Sequence, residues 1–171
     1  MSESKKLSFN SKSPEGEILL RWWTALQQDK GARARLRRCA SPEEVMMEPA
    51  FHHLLNLMRP VVNGGNEGYA NDSAYTGLAA IVGLLAHVEE FDKEKLARQM
   101  AGTGGRPLLS SLRFRRLLKS SREQLYPAMI RVLRMFKRRA SIFDVANSVL
   151  YWGDNVRKRW AMDYFPNVTE K

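Results

Sequence analysis

Arginine is the side chain in this sequence with the most evident chemistry, and it is clustered. A guanidinium group binds phosphate with two parallel hydrogen bonds and stacks on nucleobases. Acidic residues are nearly absent from the clusters, so a solvated surface explains them poorly, and they predict contact with a polyanion such as nucleic acid. The fourteen candidate nucleic-acid-binding residues are Arg33, Arg35, Arg37, Arg38, Arg113, Arg115, Arg116, Lys119, Arg122, Arg131, Arg134, Lys137, Arg138 and Arg139.

The charge of the chain is concentrated in its second half. The 171 residues carry 28 Lys and Arg against 18 Asp and Glu, a net charge of +10. Residues 98–139 hold twelve basic residues and one acid, Glu123, whereas residues 1–85 hold ten basic and nine acidic residues. A field this local predicts that the protein binds a phosphate backbone and reads few bases.

Other kinds of functional site find little support in the sequence. The three histidines (His52, His53 and His87) and Cys39 lack the spacing of metal ligands. The loop Gly102-Thr103-Gly104-Gly105 lacks the Gly-Lys-Ser/Thr ending of a phosphate loop. Cys39 is interpreted as a buried structural thiol, and an enzyme remains an alternative only if it is reactive. We therefore expect no catalytic residue, no metal, no cofactor and no enzymatic activity.

Helices must position these basic residues. Helix-start signals at Ser13-Pro14 and Ser41-Pro42 and the spacing of apolar residues predict helices, and alternating strand patterns are missing. The predicted segments are 15–28, 32–39, a helix opening at 41–44, 51–58, 74–88 and 92–100. The predicted fold class is all-α, a helical bundle of about eight or nine helices.

The last third of the chain gives the clearest pattern. Residues 120–123 fit a capping box, followed by a helix that places five apolar side chains on one face and Arg131, Arg134 and Arg138 on the other. One long amphipathic helix is predicted from Ile142 toward Tyr164. The apolar positions in these two helices are Leu125, Met129, Val132, Leu133 and Phe136, then Val145, Val149, Trp152, Val156 and Trp160. Trp152 and Trp160 are expected in the core, whereas one of the adjacent Trp22 and Trp23 is expected to be partly exposed.

The length suits one domain or two small subdomains. We expect a polar N-terminal tail at 1–14, one helical domain at 15–165 (or subdomains 15–90 and 91–165) and a C-terminal tail at 166–171. Glycine-rich loops are expected at 63–71 and 101–105. The lone cysteine, the polar N-terminus and the lack of a bilayer-length apolar stretch predict a cytoplasmic protein that does not bind membranes.

Several motifs in order resemble a known family. Arg35-Leu36-Arg37-Arg38, Ser41-Pro42-Glu43-Glu44 and Pro49-Ala50-Phe51 resemble the N-terminal pattern of CasB, the small subunit of the type I-E CRISPR surveillance complex Cascade. Arg113 to Leu118, the basic helix through Arg131, Tyr151-Trp152-Gly153 and the ending Val156 to Phe165 are similar to the family's C-terminal pattern. The resemblance covers roughly residues 15–165.

The resemblance implies a helical, non-catalytic subunit of bacterial antiviral defence, present as a pair in Cascade. Its implied partners are the backbone subunits, the large subunit, a second copy of itself, and the guide RNA, single-stranded DNA and target DNA of the R-loop. Arg37 and Arg38, then Arg116 and Arg131, match the family pattern best. The alternative is a free-standing regulator in which residues 110–119 and 121 onward form a helix-turn-helix, although Asn and Gln for base readout are scarce there.

Overall fold

The computed structural model describes residues 6–63 and 72–169, which form ten α-helices, one 3₁₀ helix and two short strands. The all-α prediction is confirmed. The predicted glycine-rich loop at 63–71 lies outside the described residues, except that Asn63 ends a helix. The chain divides into two compact units, Met1–Ala86 and His87–Lys171. No helix in the described part of the chain combines the length and the apolar character that crossing a membrane requires.

The first unit contains five helices whose starts follow local capping chemistry. They are α1 (Pro14–Gln28), α2 (Lys30–Arg38), α3 (Pro42–Val45), α4 (Pro49–Asn63) and α5 (Asp72–Leu85). The Ser13 hydroxyl accepts the amide hydrogen of Gly16, and Ser41 does the same for Glu44, so each serine satisfies a donor that the first helical turn leaves open. Both helix starts that the serine–proline pairs predicted are confirmed.

The first helix carries the pair Trp22 and Trp23, and both rings are buried. The indole Nε1 of Trp22 donates to the carbonyl oxygen of Ala50 at 3.2 Å, which ties α1 to the start of α4. The prediction that one of the two rings is partly exposed is therefore wrong. Because neighbouring helix positions diverge by about 100°, both rings can be covered only when α1 has contacts on a broad face.

The segment before α1 is folded onto the helix. Leu7 and Phe9 are buried, and the backbone amide of Ser8 donates to Oε1 of the buried Glu15 at 3.1 Å. Gly16 allows this segment to approach, because a Cβ at that position would collide with the carbonyl oxygen of Asn10. The expectation of a polar tail at 1–14 thus does not describe residues 7 and 9.

The second unit begins with a strand pair that joins distant parts of the chain. Its elements are β1 (Glu90–Phe91), α6 (Leu96–Ala101), α7 (Ser111–Leu118), α8 (Arg122–Met135), β2 (Arg139–Ala140), α9 (Ile142–Leu150), α10 (Asp154–Tyr164) and the 3₁₀ helix Phe165–Asn167. The strands are parallel, with Glu90 opposite Arg139 and Phe91 opposite Ala140. The sequence pattern does not predict these strands, because two residues are too few to show an alternation of apolar and polar side chains.

The start of α8 is shifted by one residue from the prediction. Ser121, not Ser120, is the N-cap, and its capping-box partner is Gln124, whose side chain accepts the Ser121 amide hydrogen. The predicted apolar face is confirmed, because all five of its residues are buried, namely Leu125, Met129, Val132, Leu133 and Phe136.

The single helix predicted from Ile142 to Tyr164 is broken into α9 and α10. Trp152 stands between them, and its indole Nε1 donates to the carbonyl oxygen of Ser120 at 2.8 Å, which fixes the break. The backbone at Gly153 is extended, so the helix cannot continue through it. The prediction that Trp152 and Trp160 lie in the core is confirmed, with ring centroids 5.0 Å apart in an edge-to-face arrangement.

A buried polar network connects α6, α9 and α10. The Oδ2 atom of Asp144 accepts the amide hydrogen of Leu96 at 2.8 Å, at the start of α6. Its Oδ1 atom lies 3.4 Å from the hydroxyl of Ser148, which in turn accepts the indole hydrogen of Trp160 at 3.1 Å. These polar groups satisfy one another where water is excluded, which is the condition for their burial.

Candidate nucleic-acid interface

One face of α7 presents four basic side chains to solvent, namely Arg113, Arg115, Arg116 and Lys119. Helical spacing places Arg115, Arg116 and the C-cap residue Lys119 on the arc opposite the buried Phe114 and Leu117, with Arg113 at the edge of this arc, next to Leu117. Leu112, 52% exposed, lies at the centre of the same arc. The helix contains no acid, and within residues 6–63 and 72–169 no carboxylate lies within ion-pair distance of these four. We call this set the α7 face.

The position of α7 is fixed by aromatic packing beneath it. The Phe114 ring stacks on Tyr164 with centroids 3.8 Å apart and planes 9° from parallel, and Phe165 contacts the Phe114 ring edge to face. The Tyr164 hydroxyl donates to the carbonyl oxygen of Leu109 at 2.6 Å, just before α7. At the N-terminus, the Ser110 hydroxyl accepts the amide hydrogen of Arg113. The α7 face is therefore carried on a rigid helix and not on a loop.

Two further exposed arginines, Arg131 and Arg134, lie three positions apart on α8, opposite its buried face. Neither has an acidic partner among the described residues. Glu123 is the one acid in α8 and lies in its first turn, two turns away from Arg131. This part of the predicted basic stripe is present as the sequence indicated.

Arg138 does not continue that stripe, because α8 ends at Met135 and the chain turns sharply. Lys137 and Arg138 have left-handed backbone conformations, with φ of 55° and 62°. The Arg138 guanidinium turns inward, where Nη1 lies 3.3 Å from Nδ1 of the buried His87 and Nε lies 4.0 Å from the Glu89 carboxylate. The prediction that Arg138 lies on the same helical face as Arg131 is wrong.

Arg139 and Arg122 also have partners within the protein. The Nε atom of Arg139 contacts Asp92 at 3.1 Å, and Nη1 lies 3.8 Å from Glu90, the residue opposite it in the strand pair. Both terminal nitrogens of Arg122 donate to the carbonyl oxygen of Leu150, each at 3.3 Å. These two arginines hold the fold together, although both remain exposed enough to contribute to the surface field.

The arginines of α2 point in different directions and have different partners. Arg33 donates to the Gln27 side chain, Arg35 forms a 3.3 Å ion pair with Glu48, and Nε of Arg37 donates to the Ala86 carbonyl oxygen at 2.7 Å. Arg38 is exposed and has no ion-pair partner in the described part of the chain. The structure thus does not bring the four together into one cationic surface.

Cys39, beside these arginines, is a buried free thiol, as predicted. Burial, and then the nearby carboxylates of Glu48 and Glu44, raise the pKa of this thiol. Its Sγ atom also contacts the carbonyl oxygen of Arg35 at 3.4 Å. A nucleophilic cysteine needs the opposite environment, one that lowers the pKa. Among the described residues, no three His, Cys, Asp or Glu side chains are grouped closely enough to hold a metal ion.

Two exposed arginines in the basic window were not among the predicted contacts. Arg98 lies on α6, where Nη1 donates to Asn167 at 2.7 Å, and Arg106 follows the glycine-rich loop. The signal in the sequence was their proximity to Gly102, Gly104 and Gly105, all three of which have positive φ. Isolated arginines gave no cluster to detect.

The chain is similar to a known protein family and to a solved structure. The family described as CRISPR-associated protein Cse2 matches residues 32–165, which include α7 and α8. No curated protein sequence matches the chain. A similar solved structure is a chain in the crystal structure of E. coli Cascade bound to a PAM-containing double-stranded DNA target with a 32-nt spacer. The two chains share 22% sequence identity over 86% of this chain and 94% of that one, with a TM-score of 0.64, so the likeness establishes a shared fold.

Proposed function

The chain belongs to the Cse2 family of CRISPR-associated proteins, the small subunit (CasB) of type I-E Cascade, and we propose that it binds nucleic acid there without sequence specificity and without catalysis. The observation that carries the proposal is the α7 face, with Arg113, Arg115, Arg116 and Lys119 exposed and without acidic partners in the described residues. Arg131, Arg134, Lys137 and Arg38 extend the proposed contacts.

The chemistry of these groups supports backbone contact more than base readout. Guanidinium groups match the geometry of phosphate, and each phosphate neutralised on a single strand contributes about 0.7 to the slope of log affinity against log salt. All four tryptophans are buried, and they supply no stacking platform for bases. In the proposed complex, base pairing to the guide RNA reads the sequence while this subunit steadies the strands.

The proposed partners follow from membership of Cascade. They are the backbone and large subunits, a second copy of this chain, and the guide RNA, target DNA and displaced strand. The proposed location is the bacterial cytoplasm. The proposed absence of catalysis by Cys39 is supported by its burial and its acidic neighbours, which raise the pKa of the thiol and so disfavour the nucleophilic thiolate.

Fluorescence anisotropy with a labelled 20-nucleotide poly-dT strand over a salt series tests the proposal. Wild type should bind with a steep salt dependence, and R115Q/R116Q/K119Q should lower the slope by about 2, or about 0.7 for each lost contact. The matched control is K12Q/R21Q/K93Q, which removes three exposed charges from elsewhere.

Three outcomes would contradict the proposal or part of it. No binding by wild type at low salt would refute nucleic-acid binding. An equal loss in the control would show that net charge, and not the α7 face, is responsible. A sharp preference for one duplex sequence would favour the helix-turn-helix regulator, in which α7 and α8 would be the two helices.

A further inference from the structure

A groove in the second unit is lined by basic side chains, is large enough to hold a nucleotide and includes a residue with a strained backbone. The fold itself does not require this combination. It has a volume of about 850 Å³ and lies between α6, the glycine-rich loop, the end of α8 and the segment 166–169. The volume is enough for one or two nucleotides of a strand. Its cationic lining residues are Arg98 and Lys137.

The two cations have no ion-pair partner among the described residues, whereas Asp92, one of the two acids that line the groove, is paired with an arginine. Asp92 accepts from Arg139 at 3.1 Å and from the amide of Glu94 at 2.9 Å. An oxygen of Glu94 accepts the Lys95 amide hydrogen. Within residues 6–63 and 72–169, no carboxylate lies within ion-pair distance of Arg98 or Lys137.

Lys137 occupies a backbone position that favours glycine. The Lys137 amide donates to the Arg134 carbonyl oxygen at 3.0 Å, and the Arg138 amide reaches back to that of Leu133 at 2.9 Å. These two hydrogen bonds form a Schellman motif, in which the first residue after the C-cap has a left-handed backbone. That residue is usually glycine, because a Cβ atom causes steric strain in this conformation. The φ of 55° at Lys137 therefore carries a strain that glycine would relieve.

Strain that is maintained in a folded protein points to a function of the side chain that causes it. Helix ending and chain reversal are both served by glycine, so they do not explain a lysine. What the lysine adds is a positive charge in the groove. Gly104 and Gly105 line the same groove, and their amides donate to no acceptor among the described residues. The missing side chain at Gly104 leaves its backbone open to close approach by a ligand, whereas the same side of Gly105 is covered by the side chain of Thr169.

We propose that this groove binds the phosphodiester backbone of a single nucleic-acid strand, with Lys137 and Arg98 contacting phosphates. The proposal rests on the proposed function, and it places a second contact for the strand at a site separate from the α7 face. A single strand is favoured over a duplex because the site is concave and of nucleotide size, whereas a duplex presents its phosphates on a broad convex surface.

The decisive variant is K137G, because strain and binding predict effects of opposite sign. Relief of the left-handed strain should raise the melting temperature by about 2–4 °C. Loss of one phosphate contact should weaken poly-dT binding at low salt by about three- to tenfold and lower the salt slope by about 0.7. The double variant R98Q/K137G should lower the slope by about 1.4. The matched control is K12G, which removes an exposed turn lysine in the first unit.

The outcomes separate this inference from the proposed function. If K137G binds poly-dT like wild type while R115Q/R116Q/K119Q binds weakly, the groove proposal is overturned and the proposed function stands. A lower melting temperature for K137G would overturn the strain argument. Equal weakening by K12G would refute a specific contact. If inorganic tripolyphosphate binds wild type but not R98Q/K137G, while poly-dT binds both proteins equally, the occupant is a free polyphosphate and not a strand.

Discussion

Arg122, the first residue of α8, donates both of its terminal guanidinium nitrogens to the carbonyl oxygen of Leu150, the last residue of α9. The same side chain reaches the carbonyl oxygens of Val149 and Trp152. The last carbonyls of a helix lack partners within the helix, and a cation there also offsets the helix dipole. An arginine that the sequence grouped with nucleic-acid contacts therefore acts as the cap of another helix.

Replacing Arg122 should reduce the stability of the protein more than its affinity for nucleic acid. We expect R122Q to lower the free energy of unfolding by about 1–2 kcal/mol, because charged donors to several carbonyl oxygens are lost. R116Q, on the exposed α7 face, should change stability by less than about 0.5 kcal/mol and weaken poly-dT binding. Urea denaturation and anisotropy on both variants measure the contrast, and the reverse pattern would show that Arg122 is a nucleic-acid contact.

The arginines in α8 and just after it should likewise differ in whether their replacement affects binding or stability. R131Q/R134Q should weaken strand binding and leave the unfolding midpoint unchanged, because both side chains are exposed and oppose the buried face. Adding R138Q should lower the midpoint, since the Arg138 guanidinium contacts His87 and Glu89. Circular dichroism during urea unfolding measures the midpoints of the double variant and of the triple variant. A loss of helicity in the double variant would contradict the surface position of Arg131 and Arg134.

Cys39 should react slowly with thiol reagents. Because its pKa is raised, the thiolate fraction at neutral pH is smaller than that of a free thiol, and alkylation by iodoacetamide should be correspondingly slow and rise with pH. E48Q removes one of the carboxylates that raise the pKa, so it should speed the reaction. Mass spectrometry against time at several pH values gives the rates. Fast alkylation of the wild-type protein near neutral pH would reopen the enzymatic alternative.

The buried network around Ser148 should be sensitive to the loss of one hydroxyl. S148A leaves the indole hydrogen of the buried Trp160 without its acceptor, and we expect a loss of about 1–3 kcal/mol in the free energy of unfolding. N155A, an exposed change on α10, is the control and should have an effect within about 0.5 kcal/mol. Equal stability of S148A and wild type would show that another acceptor replaces the hydroxyl.

Local chemistry made much of the fold predictable. Ser13, Ser41 and Ser141 cap helices through contacts within three residues, and the apolar face of α8 follows from a repeat within one helix. Such interactions join residues that are close together in the sequence, so the sequence alone predicts them. The break at Trp152 was missed because it depends on the Ser120 carbonyl oxygen, 32 positions away, while the apolar spacing runs on through it.

The candidate site was predictable in residue type and less so in arrangement. Arg115 and Arg131 are exposed because each lies on the side of its helix opposite the apolar face, and the spacing of apolar residues in the sequence shows where that face is. The inward turn of Arg138 depends on where α8 stops and on His87, 51 positions earlier. Contacts with residues distant in the sequence therefore decide whether an arginine is exposed or points into the protein, and a count of charges in the sequence does not predict these contacts.

The stacking of Phe114 on Tyr164 has a consequence for synthesis of the protein on the ribosome. The hydroxyl of Tyr164 bonds to Leu109, 55 positions earlier, so α7 lacks its aromatic support until those later residues have been translated. At about 5–20 residues per second this delay is roughly 3–11 s. During that interval the nascent arginine-rich segment has its apolar side uncovered, and it acquires its final placement only near the end of translation of this region.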